Sequence, residues 1–198
     1  MDRIIAVLLL VGMIAFISLS QPQDSPDMVV EKYLKAVRAS DYERAYTFIS
    51  KSDTTIIDWL ELIRYIKQVA PPQLATLIDI AHCATRQEIV KTAVEGDTAV
   101  VEIHSVVPDM EETLKVTHKV EEIKSLLAQG ALPMRERLGA CELVVEEGVW
   151  KISMVRGVSA GQAAEIATDL AEQILGKDEA ERLAQKIKEF GQRRAEGT

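Results

Sequence analysis

The sequence predicts an α+β fold in which helices come first, antiparallel strands follow, and helices return at the end. Apolar residues recur at helical spacing from Asp27 to Val69 and again after Ser159. Between these regions they alternate residue by residue on both sides of two turn signals, Glu95-Gly96-Asp97 and Glu147-Gly148. A chain of 198 residues is long enough for one domain of this kind with accessory segments.

The composition is that of a globular protein with an acidic balance. Hydrophobic residues make up 47% of the chain and charged residues 27%, and the net charge is −8. A protein that binds nucleic acid needs a clustered basic face. The only compact basic group is Arg193-Arg194 near the end of the chain. We therefore expect no nucleic-acid partner.

The first twenty residues are typical of a targeting segment. Arg3 is followed by an uncharged, mostly apolar run from Ile4 to Ser20. This run is short for a membrane span and slightly long for the core of a signal peptide. The basic residue before it, and Asp24 and Asp27 after it, place the rest of the chain outside the cytoplasm.

The protein is therefore expected to be exported, to the periplasm or the extracellular face of the cytoplasmic membrane, either anchored or secreted. Residues 1–20 would be a signal peptide or an N-terminal membrane anchor, with membrane contact through residues 4–20. Residues 21–26, which are polar and contain proline, would be a linker. No cysteine follows the apolar run, which excludes a lipid-modified cysteine anchor.

Two cysteines, Cys83 and Cys141, would then lie in an oxidising compartment. They are a disulfide candidate. By lowering the entropy of the unfolded chain, such a bridge would stabilise the folded state by about 4 kcal/mol. Two buried free thiols are the alternative. Neither cysteine has the Cys-x-x-Cys spacing of a redox or zinc site, and we expect no metal or cofactor.

Three helices are predicted before the strands. Ser25-Pro26 is typical of a helix start, and the first helix should end near Ala39. Asp41 can cap a short second helix. The third helix should begin near Asp53 or Thr55 and run to Val69, because Pro71-Pro72 stops it.

Three connecting segments are predicted with less regular patterns. Residues 73–80 are apolar and predict a short helical turn or connector. Residues 112–117, after Pro108-Asp109, predict a third extended segment. From Lys119 to Gln129 the spacing is helical again, until Gly130 and Pro133 break it.

The alternation along the strands predicts which side chains face the core. The first hairpin flanks Glu95-Gly96-Asp97, and the second joins Leu138–Glu146 to Val149–Arg156. His104 is expected on the outer face of its strand, with Thr98 and Glu102. The residues expected on the inward faces are Ala99, Val101, Ile103, Cys141, Leu143, Val145, Trp150, Ile152 and Met154.

The chain after Ser159 predicts two more helices, separated at Gly176. The first carries a narrow apolar stripe that includes Ala163, Ala167 and Ala171. Such a stripe suits close helix packing, either onto the domain or onto another copy of the chain. A homo-oligomer formed through residues 160–190 is therefore possible.

Three stretches, taken in order, carry a family resemblance: Val30–Ile49, VEGDTAVVEI at Val94–Ile103 and EGVWKISMV at Glu147–Val155. In that order they resemble the nuclear transport factor 2-like superfamily, and more narrowly its small exported bacterial members of unknown function. The resemblance covers residues 27–156 and implies a cone-shaped domain, in which N-terminal helices pack in a curved antiparallel sheet. Residues 119–137 would be a helical insertion, and residues 157–198 a C-terminal helical extension.

The resemblance also implies where a site would lie. Enzymes of this superfamily place ionisable groups inside the cone, whereas the inward strand positions here are apolar, so no catalytic residue is expected. The histidines, His82, His104 and His118, have no metal-binding spacing. The candidate pocket-lining residues are Tyr33, Tyr46, Trp59, Val101, Ile103, Leu143 and Trp150.

The expected function is non-enzymatic binding of a small apolar ligand or lipid, or of an envelope protein partner. The alternative is a structural or oligomerisation module of the cell envelope, assembled through the C-terminal helices. An enzyme of the isomerase or hydrolase type with the same fold is the third possibility.

Overall fold

The computed structural model describes residues 24–52, 54–157 and 159–196. The predicted leader, residues 1–20, and residues 21–23 of the predicted linker lie outside these ranges. No helix within the described ranges is both long enough and apolar enough to cross a membrane. The described chain forms eight helices and four strands: α1 Pro26–Arg38, α2 Tyr42–Tyr46, α3 Thr54–Val69, α4 Pro72–Ala84, β1 Arg86–Glu95, β2 Thr98–Pro108, α5 Met110–Val116, α6 Val120–Ala128, β3 Met134–Glu146, β4 Val149–Arg156, α7 Ala160–Leu175 and α8 Lys177–Ala195.

The four strands form one antiparallel sheet in the order β1-β2-β3-β4, which confirms the α+β class and both predicted hairpins. The β3–β4 hairpin turns at Glu147 and Gly148, which have φ values of 53° and 79°. Positive φ at both turn residues gives the backbone the twist that adjacent strands need.

Helices α1, α2 and α3 pack against one face of the sheet, which we call the inner face. α1 begins with proline in its first turn, and the Asp41 side chain caps α2 by accepting a hydrogen bond from the Arg44 amide at 3.1 Å. The chain after α2 is tied to the sheet edge, because the Ile152 amide donates to Phe48 and the Ser50 amide donates to Ile152, each at 2.8 Å. The buried core between these elements includes Val29, Val30, Tyr33, Leu60, Val101, Ile103, Cys141, Leu143 and Ile152.

Two connecting segments are more extensively helical than their patterns predicted. Residues 73–80 belong to α4, a full helix that begins after Pro71 and buries Leu74, Leu77 and Ile80 on one side. Residues 112–116 belong to α5, where an extended segment was expected. The Asp109 side chain caps this helix by accepting a hydrogen bond from the Glu112 amide at 3.2 Å, and Leu114 packs in the same cluster as Leu77.

The predicted helical insertion, residues 119–137, is helical only over α6. Its last residues, from Met134 onward, are strand and pair with the end of β2, Pro108 opposite Met134 and Val107 opposite Arg135. Ile123 of α6 is fully buried against α4 and α5. The predicted insertion is thus one short helix, α6, followed by the start of β3, and α6 packs with α4 and α5.

One predicted inward position, Met154, lies on the outer face. Glu142 is paired with Met154, and the next residue, Leu143, is paired with Ile152, so Ser153 has no partner and forms a β-bulge. The bulge reverses the alternation beyond it, and Met154 is 48% exposed. The predicted faces of Leu143 and Ile152 are confirmed, since both are buried.

The two C-terminal helices fold back onto α3. Ser159 and Gln162 form a capping box at the start of α7, and Ala163, Ala167 and Ala171 are buried. On α8, the Phe190 ring stacks on Tyr65 with 4.3 Å between ring centroids, and Arg194 pairs with Asp58 at 2.7 Å. The predicted alanine stripe is therefore occupied by packing within the chain.

Of the two alternatives for Cys83 and Cys141, a disulfide or two free thiols, the structure has the free thiols. Cys83 lies on α4, where it is exposed. Cys141 lies in the core beneath the sheet with no exposed surface. The two side chains therefore belong to different layers of the structure.

The packing of α7 gives a test of this architecture. Replacing Ala171 with leucine should lower the free energy of unfolding by about 1–3 kcal/mol, because the fully buried site has no room for a larger side chain. Urea denaturation of the full chain measures this change. Glu172→Leu is the matched control, since it places the same residue on the exposed side of α7. An equal effect of the two substitutions would contradict the packing of α7 described here.

Candidate functional site

The core beneath the sheet is filled. Of the predicted pocket-lining residues, Val101, Ile103 and Leu143 are at most 5% exposed and pack directly against the N-terminal helices. The Tyr46 hydroxyl donates a hydrogen bond to Glu61 Oε1 at 2.6 Å, and Trp150 packs at the margin of the core. None of these five residues borders either of the two large apolar cavities described below.

An apolar cavity bordered by described residues lies between helices, beside the filled core. It has a volume of about 630 Å³ and is enclosed by α3, α4, α5, α7 and the adjoining ends of β2 and β3. We call it the interhelical cavity. Its volume falls within the range of about 300–1,000 Å³ that is typical of small-molecule sites. Its apolar wall consists of Trp59, Ile63, Ile66, Leu74, Leu77, Ile78, Ala81, Val107, Pro108, Met110, Leu114, Ala163, Ile166, Ala167 and Leu170.

A second cavity, of about 400 Å³, lies on the other side of Trp59. It is bordered by Tyr33 and Ile56 and by Met154 and Val155 at the end of β4. Trp59 borders both cavities, so its indole ring forms part of the wall between them. Tyr33 and Trp59 are thus the two predicted pocket residues that the structure places at cavities.

Two residues of the interhelical cavity carry buried nitrogen atoms without hydrogen-bond partners. They are Trp59 Nε1 and His82 Nδ1. An unpaired buried polar atom costs about 1–3 kcal/mol relative to one that is satisfied. No hydrogen bond fixes the orientation of either ring through these atoms, and the cost of leaving them unpaired calls for an explanation.

The electrostatic surroundings of His82 keep it neutral. Burial lowers its pKa below the usual value of 6.5, and the neighbouring Lys67 lowers it further, while Asp79 acts in the opposite direction. Lys67 itself pairs with Asp79 at 2.8 Å. A neutral imidazole offers one donor and one acceptor to the cavity wall.

Charged groups border the interhelical cavity at its outer rim. Arg135 and Arg137 are among the first residues of β3. Glu111 belongs to α5 and Asp169 to α7. Arg135 lies 4.0 Å from Asp109 Oδ1. The cavity is therefore an apolar chamber with both charge signs at its edge, an arrangement suited to holding a molecule with an apolar body and a polar end.

The described residues contain no cluster of three or more histidine, cysteine or acidic side chains that could hold a metal ion. Burial raises the pKa of the Cys141 thiol to about 12, so this residue is not a nucleophile at neutral pH. Burial also raises the pKa of the Tyr33 hydroxyl.

Sequence reasoning missed the interhelical cavity because one wall, α5, was predicted as an extended segment and another, α4, only as a short helical turn or connector. A signal for α4 was present: proline at its first position, followed by Leu74, Leu77 and Ile80 at intervals of three. The contribution of β3 was hidden because residues 134–137 had been assigned to a helical insertion.

The buried state of His82 gives a pH-dependent prediction. The unfolded chain binds a proton at this residue near pH 6.5, whereas the folded chain binds it at a lower pH, so the unfolded state holds more protons in between. Lowering the pH from about 7.5 to about 5.5 should therefore reduce stability. His82→Gln should make that reduction smaller, as measured by urea denaturation at both pH values.

His118→Gln is the control for that experiment, because His118 is exposed. It should leave the pH dependence of the wild-type protein in place. If His82→Gln and His118→Gln show the same pH dependence, the neutral state assigned to His82 is wrong.

Comparison with known proteins adds no family assignment: no protein-family model matches the chain, and no curated protein matches its sequence. The candidate site is therefore defined by its own geometry. That geometry is an apolar chamber of about 630 Å³ between helices, with unpartnered ring nitrogens in its wall and charged side chains at its rim.

Proposed function

We propose that this chain is a non-enzymatic ligand-binding domain that holds a small apolar molecule in the interhelical cavity. The observation that carries the proposal is the cavity itself, with its volume of about 630 Å³ and its apolar wall. Residues that would form a dry core if they were fully packed together are instead separated by a space large enough for a small molecule.

The proposed site is displaced from the position that the family resemblance implies. The volume beneath the sheet is occupied by side chains of α1, α2 and α3. The cavity lies where the helices between β2 and β3 meet the C-terminal extension. In this region α5 and α7 supply residues to the cavity wall, so the C-terminal extension contributes to the binding volume through α7.

The proposal includes a nuclear transport factor 2-like architecture for residues 27–156. Helices packed on one face of a four-stranded antiparallel meander support it, as does the tie between the chain after α2 and β4. The proposal also includes an exported protein, anchored or secreted, which the basic residue and apolar run at the start of the sequence support.

A substitution that fills the cavity tests this function. Ala81 borders the cavity on α4, and Ala81→Phe would place a ring in that space. The uncharged fluorophore N-phenyl-1-naphthylamine, whose emission rises in apolar surroundings, should bind the wild-type full chain. Its affinity should fall at least about tenfold in Ala81→Phe, because the ring removes volume that the probe needs.

Gln73→Phe is the matched control, because it adds the same ring to an exposed position on α4. It should leave probe binding unchanged. Comparison with the control also cancels any binding of the probe to residues 4–20, since both variants contain them. Equal probe affinity in wild type and in folded Ala81→Phe would refute binding in the interhelical cavity.

A further inference from the structure

We propose that the ligand is a single-chain amphiphile with an anionic head, a carboxylate or a phosphate monoester, and that Arg135 and Arg137 bind this head. The inference rests on the proposed function, since it names the chemical class of the molecule in the interhelical cavity. It is carried by the inward position of these two arginines at the start of β3.

At the start of β3 two charged side chains, Arg135 and Arg137, lie on the inner face, whereas Met134, Glu136 and Leu138 lie on the outer face. The pairing with β2 continues without a break from Met134 to Val144, so the faces alternate regularly. Cys141 is buried on the inner face, which puts Arg137 and Arg135 on that same face. Leu138 lies on the outer face and is 82% exposed.

A sheet that covers a core usually has apolar side chains on its inner face and charged ones on its outer face. Inward arginines and an outward leucine depart from that pattern. Burying Leu138 and exposing the arginines on the outer face would be more favourable if β3 served packing alone. Local departures of this kind are expected where a binding site needs the residues. Both arginines border the interhelical cavity, which gives their inward position a role.

The neighbours of the arginines leave them available to a ligand. Arg137 lies opposite Ser105 on β2. Its side chain makes no ion pair or hydrogen bond with another described residue. Arg135 lies opposite Val107, and its one ionic neighbour is Asp109 at 4.0 Å, the limit of an ion pair. Two guanidinium groups on alternate residues of a strand can approach one anion together, and each can donate two parallel hydrogen bonds to it.

The acidic residues at the rim are less well placed to select a cationic ligand. Glu111 is 77% exposed in its side chain and lies 3.7 Å from Lys115, whereas the Arg135 side chain is 41% exposed. Asp169 is exposed on α7, across the cavity from the sheet. The Arg135 side chain is therefore more enclosed than that of Glu111, and both arginines stand on β3, whose first residues border the cavity.

The test compares the affinities of amphiphiles that have different head groups on the same twelve-carbon chain. The full chain carrying Trp150→Phe retains Trp59 as its sole tryptophan, which borders the cavity and reports binding by its fluorescence. The probes are dodecanoate, dodecyl phosphate, 1-dodecanol and dodecyltrimethylammonium, each kept monomeric. We expect the anions to bind at least about tenfold more tightly than the alcohol, and the tighter of the two identifies the head.

Arg135→Ala and Arg137→Ala should each weaken binding of the anions toward that of 1-dodecanol and leave 1-dodecanol binding unchanged. Arg137→Lys should restore part of the loss, because the charge remains but the paired hydrogen bonds do not. Arg156→Ala is the control, since Arg156 pairs with Glu142 on the outer face of the same sheet. It should change none of the affinities.

Three outcomes would overturn the proposal, and they are distinguishable. If 1-dodecanol binds as tightly as the anions, the cavity binds apolar chains but the arginines do not select a head. If dodecyltrimethylammonium binds most tightly, Asp169 and Glu111 determine the ligand class instead. If no probe alters Trp59 emission, the proposed function itself is wrong.

Discussion

The burial of α3 on two sides is the constraint on which the rest of the structure depends. One side of the helix, with Ile56 and Leu60, packs on the sheet, and the other, with Leu62 and Ile66, packs on α4, α7 and α8. A helix between two layers must be apolar around much of its circumference. Trp59 lies where the two sides meet and borders both cavities. The two apolar cavities are thus both adjacent to α3, the helix that takes part in both of these cores.

Much of the fold could be predicted from local patterns. The N-terminal helices, both hairpins and the C-terminal helices have clear periodicity and recognisable caps or turns, so the sequence determines them locally. Residues 73–84 and 110–116 lack that clarity, because short apolar segments suit a helix or a strand equally until a partner is known. The alternation of apolar and polar residues along β4 does not indicate the bulge at Ser153. Because of that bulge, Met154 lies on the outer face and not on the predicted inner face.

The site was less predictable than the fold for a physical reason. A cavity forms where neighbouring helices do not pack closely against one another. Whether this happens here depends on how α4, α5 and α7 are arranged around α3. Tyr33 and Trp59 were identified as pocket residues, whereas His82, Arg135 and Arg137 were not. The arginines became interpretable only when the register of β3 placed them beside a cavity, since inward and outward are undefined for a strand without partners.

The way in which α7 and α8 are attached has a consequence for dynamics. These helices form an antiparallel pair whose mutual contacts are more extensive than those of either helix with the rest of the domain. Such a pair is a natural unit of local opening, with a free energy below that of global unfolding. Because α7 supplies one wall of the interhelical cavity, its release exposes that volume to solvent. A ligand in the cavity would then stabilise the closed position of α7 and α8, because it binds only that state. The residence time of the ligand would follow the rate at which these two helices open.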